Sequence, residues 1–217
     1  MPSVENPLQR RHFLAGMAVV AVAGTIGLND AGAAAAADGR WTGALTQNGW
    51  PVLDQAPKTV RVQGSAATMT VVAGDVAVIL EHVARRFHYE IESLAAGQIA
   101  GYRTDRAVAT PTASNYLSGT AIAIRPDLFP PGAEGLFPFQ VAVVRDILAD
   151  CDGVVRWGGD DKTAAAQGHF QIDVRPGDPA LHRVAAAVSG LAGLMPDPNA
   201  PDRLRRSRQL AARQATR

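Results

Sequence analysis

The side chain of this sequence best suited to chemistry is His169, in the segment Gly168-His169-Phe170. An imidazole can bind a metal ion through one ring nitrogen or accept a proton as a general base. Three carboxylates, Asp160, Asp161 and Asp173, are close to it in sequence. On one strand, His169 and Asp173 would be roughly 13 Å apart, too far to hold one ion together. Asp160 or Asp161 would therefore have to complete any metal site from the preceding loop.

Two further side chains are candidate nucleophiles, Ser118 and Cys151. Ser118 with His169 and an aspartate would form a catalytic triad, but Ser118-Gly119 lacks the G-x-S-x-G turn that presents the serine in α/β-hydrolases. Cys151 is the only cysteine, so an intramolecular disulfide is excluded. It follows an apolar helical pattern, and we expect a buried thiol.

The elements that must position these residues mix strands and helices without strict alternation, which favours an α+β fold over a doubly wound parallel sheet. Apolar spacing and opening prolines predict helices near 75–88, 138–150 and 180–191. Strands are predicted near 59–63, 68–72, 98–103, 119–124, 154–157 and 169–174, and a long loop at 104–118. His82 lies outside the apolar stripe of its helix, so we expect it to be solvated.

Two segments carry a family resemblance. Residues 114–123 read S-N-Y-L-S-G-T-A-I-A, and residues 157–171 contain W-G-G-D followed by H-F-Q. They resemble the zinc-site motifs S-x-H-x-x-G-x-A-x-D and W-G-G-D…D-x-x-H-F-E of the D-alanyl-D-alanine carboxypeptidase family of peptidoglycan peptidases. The resemblance covers roughly 75–174 and implies a hedgehog-like fold, with a small, mostly antiparallel central sheet packed by helices. The matched residues are Ser114, Gly119, Ala121, Trp157, Gly158, Gly159, Asp160, His169 and Phe170.

The same resemblance identifies which functional residues are replaced. Tyr116 stands at the position of the first ligand histidine, Ala123 at the ligand aspartate, Ala166 at the general base and Gln171 at the glutamate that follows His-Phe. Only His169 remains of three zinc ligands. A catalytic zinc ion needs three protein ligands and an open water position. We therefore expect a catalytically inactive protein that binds neither zinc nor another cofactor.

The resemblance also implies a ligand-binding cleft. In the family an arginine at the position of Arg103 binds the substrate, and a guanidinium can pair with a carboxylate through two hydrogen bonds. The partners expected are a peptidoglycan stem peptide or a protein of the cell envelope. Two alternatives stay open: an active metal-dependent D-Ala-D-Ala carboxypeptidase with a rebuilt zinc site, and a purely structural secreted domain. The predicted cleft residues are Arg103, Tyr116, Ser118, Thr120, Asp160 and His169.

The first 37 residues are typical of a twin-arginine signal peptide. Arg10-Arg11 precedes a weakly apolar run of about 14 residues, shorter than the roughly 20 that span a membrane. Small residues up to Ala37 offer cleavage sites. We expect export by the twin-arginine route to the cell envelope or the extracellular space, with no stable membrane span after cleavage.

Composition sets the remaining limits. The chain has 217 residues, 47% hydrophobic and 19% charged, with a net charge of +1, which indicates an ordinary folded domain and no nucleic-acid binder. We divide it after the signal peptide into an extension with short strands (38–74), a peptidase-like domain (75–192) and a basic tail (193–217). The tail carries six arginines against two aspartates. We predict it to be flexible, either disordered or a weak helix, and a possible contact for anionic wall polymers.

Overall fold

The computed structural model describes residues 39–162, 165–191 and 197–215. The predicted signal peptide, 1–37, lies outside these residues. The strands are only two to four residues long, so the sheets are small. Thr59–Arg61 (β1) and Thr68–Thr70 (β2) form an antiparallel pair. The four-stranded antiparallel sheet, in the order β3-β4-β6-β5, contains Ile99–Ala100 (β3), Ala121–Ile124 (β4), Val155–Trp157 (β5) and His169–Ile172 (β6).

Three of the predicted helices lie where their apolar spacing indicates. They are Asp75–Glu90 (α1), Pro138–Asp150 (α2) and Pro179–Gly190 (α3). Buried side chains of all three, such as Ile79, Ile147 and Val184, join Ile122 and Phe170 of the sheet in one hydrophobic core. The α+β prediction, with an antiparallel sheet packed by helices, is confirmed. The predicted loop at 104–118 contains a 3₁₀ helix, Pro111–Tyr116.

The basic C-terminal segment is a helix, Pro201–Gln214 (α4), rather than a flexible tail. It packs on α2, and Leu210 is buried in the core. The guanidinium of Arg203 donates two hydrogen bonds of 2.7 Å to the carboxylate of Asp146 and one of 3.0 Å to the carboxylate of Asp150. A polar helix is thus held by charge pairs to residues more than fifty positions earlier, which local composition does not reveal.

His82 is also buried, with 2% of its surface exposed, so the prediction of a solvated side chain was wrong. Its Nε2 lies 3.3 Å from Asp150, and Arg85 donates to its Nδ1 at 3.1 Å. Burial alone would raise the pKa of Asp150, but the hydrogen bond from His82 and the charges of Arg203 and Arg86 outweigh it and hold that pKa at about 2. Among the described helices, none is long and apolar enough to cross a membrane.

Candidate functional site

A cavity of about 1080 Å³ runs across the four-stranded sheet. Each strand contributes to its wall: Ala100 from β3, Ala123 from β4, His169 from β6 and Trp157 from β5. Since neighbouring strands are about 4.8 Å apart, the wall extends about 14 Å from β3 to β5. Of the predicted cleft residues, Arg103, Tyr116, Asp160 and His169 line this cavity.

His169 is held between two hydrogen-bonding partners. Its Nε2 lies 2.8 Å from the side-chain oxygen of Gln171, which can only accept, so Nε2 carries the proton. Its Nδ1 lies 2.7 Å from the Tyr116 hydroxyl oxygen and accepts a hydrogen bond from that hydroxyl. Asn115 also donates to the Gln171 oxygen, at 2.9 Å, and fixes its orientation. Both nitrogens of the imidazole are therefore engaged.

Burial keeps this pair neutral. It lowers the pKa of His169, with the nearby positive charge of Arg103 acting in the same direction and the hydrogen bond to Gln171 opposing it. Burial also raises the pKa of Tyr116, although Arg103 partly offsets the rise. At neutral pH the site therefore contains a phenol that donates to an uncharged imidazole.

Arg103 brings a positive charge to this neutral wall. Its guanidinium lies 5.1 Å from the centre of the Tyr116 ring, and one Nη donates to the Ala113 carbonyl at 3.1 Å. Its buried Nε has no hydrogen-bond partner. Within the residues that the structure describes, no carboxylate lies within ion-pair distance of Arg103. The cavity thus contains a cation that no carboxylate of the described residues neutralises.

Asp160, in contrast, is neutralised. Arg145 donates two hydrogen bonds to its carboxylate, one from Nη1 at 2.7 Å to one oxygen and one from Nη2 to the other oxygen. The same guanidinium lies 4.9 Å from the centre of the Trp157 ring. Gly159 packs so closely on Trp157 that an added Cβ would lie 2.3 Å from the indole. An added Cβ at Gly158 would lie 2.7 Å from the carbonyl oxygen of Ala166, so both glycines are required by lack of space.

Ser118 and Thr120 do not line the cavity, which corrects the predicted cleft. Both are fully buried and hydrogen-bond to each other at 2.8 Å. Asn48 donates to Thr120 at 2.8 Å, and the Ser118 hydroxyl donates to the Asn115 carbonyl at 3.0 Å. Gly119 between them has a φ of 66°, which turns the chain and directs both hydroxyls inward. The proposed Ser118–His169 triad is not assembled.

The residues at the zinc-ligand and general-base positions implied by the resemblance lie together on the wall of the cavity, but they do not provide the ligands that a zinc ion needs. Tyr116, Ala123, Ala166 and His169 all line the cavity, and Ala123 pairs with His169 across β4 and β6. Zinc binds to deprotonated or neutral donors with a free lone pair. Here the phenol stays protonated, alanine has no donor, and both imidazole nitrogens are engaged. These residues do not fit a zinc ion, and the described part of the chain contains no cluster of three histidine, cysteine or acidic side chains with metal-binding geometry.

Several residues that shape the site were not predicted. Gln171 and Asn115 orient His169, Arg145 neutralises Asp160, and Gln214 of α4 lines the cavity. Of these residues, only Gln171 could have been identified from the sequence, because it occupies the position of the glutamate that follows His-Phe in the motif. No family model, curated protein or solved structure matches this chain.

Proposed function

We propose that this protein is an exported cell-envelope protein whose domain has the carboxypeptidase-like fold but binds a peptide without cleaving it. The ligand is a peptidoglycan stem peptide, and its terminal carboxylate pairs with Arg103. The observation that carries the proposal is the guanidinium of Arg103 on the wall of the cavity, which pairs with no carboxylate among the described residues. A partly desolvated cation without a counter-ion favours an anionic ligand group, and a carboxylate matches its planar donors.

Binding without hydrolysis follows from the surrounding residues. Amide hydrolysis at such a site needs a metal-bound water or an equivalent nucleophile and a general base. Tyr116 and His169 satisfy each other, Asp160 is paired with Arg145, and position 166 is alanine. None of these groups has a free lone pair poised for proton abstraction. They can position a ligand through polar contacts and ring surfaces.

The size and extent of the cavity suit a short peptide. Its volume of about 1080 Å³ is at the upper end of small-ligand sites, which span about 300–1000 Å³. A chain of four extended residues is about 13–14 Å long, similar to the width of the four-stranded wall. The resemblance to peptidoglycan peptidases and the predicted export signal favour a cell-wall peptide over other peptides with a free carboxylate.

Isothermal titration of the stem pentapeptide L-Ala-γ-D-Glu-L-Lys-D-Ala-D-Ala, as the free acid and as the C-terminal amide, tests the proposal. We expect the wild-type protein to bind the acid about 10–100-fold more tightly, the range for a hydrogen-bonded charge pair. Arg103→Met should abolish this preference. Arg156→Met is the matched control, because Arg156 lines the same cavity but lies 3.9 Å from Asp173. Equal affinity of the wild-type protein for acid and amide would refute the proposal.

A further inference from the structure

The outward side of the C-terminal helix α4 is strongly positive. Of the five arginines in this helix, Arg203 is bound to the buried carboxylates of α2. The other four are exposed, and they are Arg205, Arg206, Arg208 and Arg213. The helix has one acidic residue, Asp202. Residues 38–192, in contrast, contain 13 basic and 16 acidic side chains, so the excess of positive charge is concentrated on α4.

Among the described residues, three of the four exposed arginines have no carboxylate partner. Arg205 and Arg208 make no hydrogen bond or ion pair there. Arg206 donates to the Ala149 carbonyl at 3.1 Å, which satisfies one donor without neutralising the charge. Like charges three positions apart on a helix, such as Arg205 and Arg208, destabilise it slightly. A surface that serves solubility alone mixes both signs of charge, so this arrangement indicates a binding role.

The positive surface continues from α4 onto α3. Arg213 of α4 lies 4.0 Å from Asp152, and Arg183 of α3 lies 3.7 Å from the same carboxylate. One aspartate thus faces two guanidinium groups and neutralises only one charge. Along α4, the arginines extend from 205 to 213, a rise of about 12 Å. We call Arg183 and the four exposed arginines of α4 the arginine face.

The ligand chemistry that this face fits is a linear chain of phosphate groups. Guanidinium groups pair with phosphate oxygens through two parallel hydrogen bonds, and binding to a polyanion releases its counterions. A lipid surface fits less well, because peripheral membrane helices also insert large apolar side chains. The exposed positions between the arginines of α4 are Gln209 and Ala212, which provide none.

We propose that the arginine face binds a flexible polymer whose repeating units are joined by phosphodiester groups. The contacts are made to the phosphates, so the groups between them contribute little to selectivity. None of the five arginines lines the cavity, and the face is therefore separate from the peptide site at Arg103. It adds a second class of ligand to the proposed function and does not depend on it. In a protein of the cell envelope, such binding would keep the peptide site beside anionic polymers of the wall.

Titration of the full-length protein with synthetic poly(glycerol phosphate) at 50–200 mM salt tests the inference. Four arginine–phosphate contacts should give a slope of log affinity against log salt of about −2.8, at about 0.7 per contact for a flexible strand. Arg205→Gln/Arg208→Gln should halve this slope and weaken binding at least tenfold at 50 mM salt. Lys58→Gln/Arg61→Gln is the matched control, because it removes two exposed positive charges at β1, and it should bind the polymer like the wild-type protein.

Three results would overturn the inference. The first is an equal loss of affinity in the two double variants, which would show that only the net charge matters. The second is no binding of the wild-type protein to the polymer at 50 mM salt. The third is stronger binding to phosphatidylglycerol vesicles or to duplex DNA than to poly(glycerol phosphate). Binding of the stem pentapeptide, measured on the same variants, should equal that of the wild-type protein, so failure of the peptide site and failure of the arginine face are distinguishable.

Discussion

Introducing two ligand side chains of the zinc-site motifs should convert this site into a zinc site. The perturbation is the double variant Tyr116→His/Ala123→Asp. Position 123 pairs directly with His169, so the two Cβ atoms are about 4.5–5.5 Å apart, within reach of one ion. The Tyr116 hydroxyl already lies 2.7 Å from His169 Nδ1, and ligand atoms around a tetrahedral zinc are about 3.4 Å apart. Removing that hydroxyl frees Nδ1, while Gln171 keeps the proton on Nε2.

The increase in stability that zinc should give the double variant follows from the linkage between binding and folding. At a free zinc concentration 100 times the dissociation constant, binding to the folded state alone adds about 2.7 kcal/mol to the free energy of unfolding. For a domain of this size that corresponds to an increase in Tm of about 5–10 °C. The wild-type protein has no such donor set, so zinc should leave its Tm unchanged.

The assay counts zinc per chain after dialysis against micromolar zinc and follows Tm with and without the metal. We expect one zinc in the double variant, and none in the wild-type protein or in the double variant that also carries His169→Ala. A folded double variant without zinc would refute the idea that positions 116, 123 and 169 have zinc-site geometry. About one zinc per wild-type chain, lost in His169→Ala, would instead support an active site rebuilt around His169.

Two further predictions concern protonation and the attachment of α4. Nitrogen NMR of the His169 ring should show a single proton, on Nε2, at pH 7. Because burial lowers the pKa of His169, the ring should become charged only below about pH 6.5, the ordinary pKa of histidine. A charged ring at pH 7 would contradict the assignment. Arg203→Met should lower the free energy of unfolding by about 1.5–3 kcal/mol in denaturant titrations, because it removes one of the two guanidinium partners of Asp146 and Asp150 and leaves Arg86 as the other. The exposed Arg208→Met should change it by less than about 0.5 kcal/mol. The pKa of Asp150 in the folded protein lies below its usual value, so the contribution of Asp150 to stability is complete above about pH 4 and is lost as the pH falls toward 2. Unchanged stability of Arg203→Met, or wild-type stability that does not fall between pH 4 and 2, would contradict the role of these contacts.

Local periodicity was sufficient for α1, α2 and α3 and for most strands, but not for α4. Residues 138–150 form a helix with the predicted limits, because an opening proline and a regular apolar face act within one element. The faces of very short strands were not predictable in the same way. Ser118 and Thr120 precede a four-residue strand, and the left-handed Gly119 between them decides where their hydroxyls point.

The remaining differences arise from pairs that are distant in sequence. His82 is on the polar side of α1 by pattern, yet Asp150 covers it from α2. Arg203 and Gln214 are polar residues of a basic segment, and they are ordered by Asp146 and by the carbonyl of Val155. A sequence shows that such side chains carry charge or hydrogen-bonding groups. It does not show which partners the fold brings to them.

The replaced residues at the site form a consistent set in electrostatic terms. Relative to the zinc-site motifs, Ala123, Ala166 and Gln171 each remove a carboxylate, while Tyr116 gives His169 a donor in place of a metal. A carboxylate at position 123 or 166 would need a cation as its partner, because a buried charge without one is strongly destabilising. If the resemblance reflects descent from a zinc peptidase, the metal and the acids were lost together, and Arg103 pairs with no carboxylate among the described residues. The described residues of this site provide no zinc ligand set, and they include a guanidinium without a carboxylate partner. For that reason we place recognition of a peptide carboxylate before any hydrolytic role.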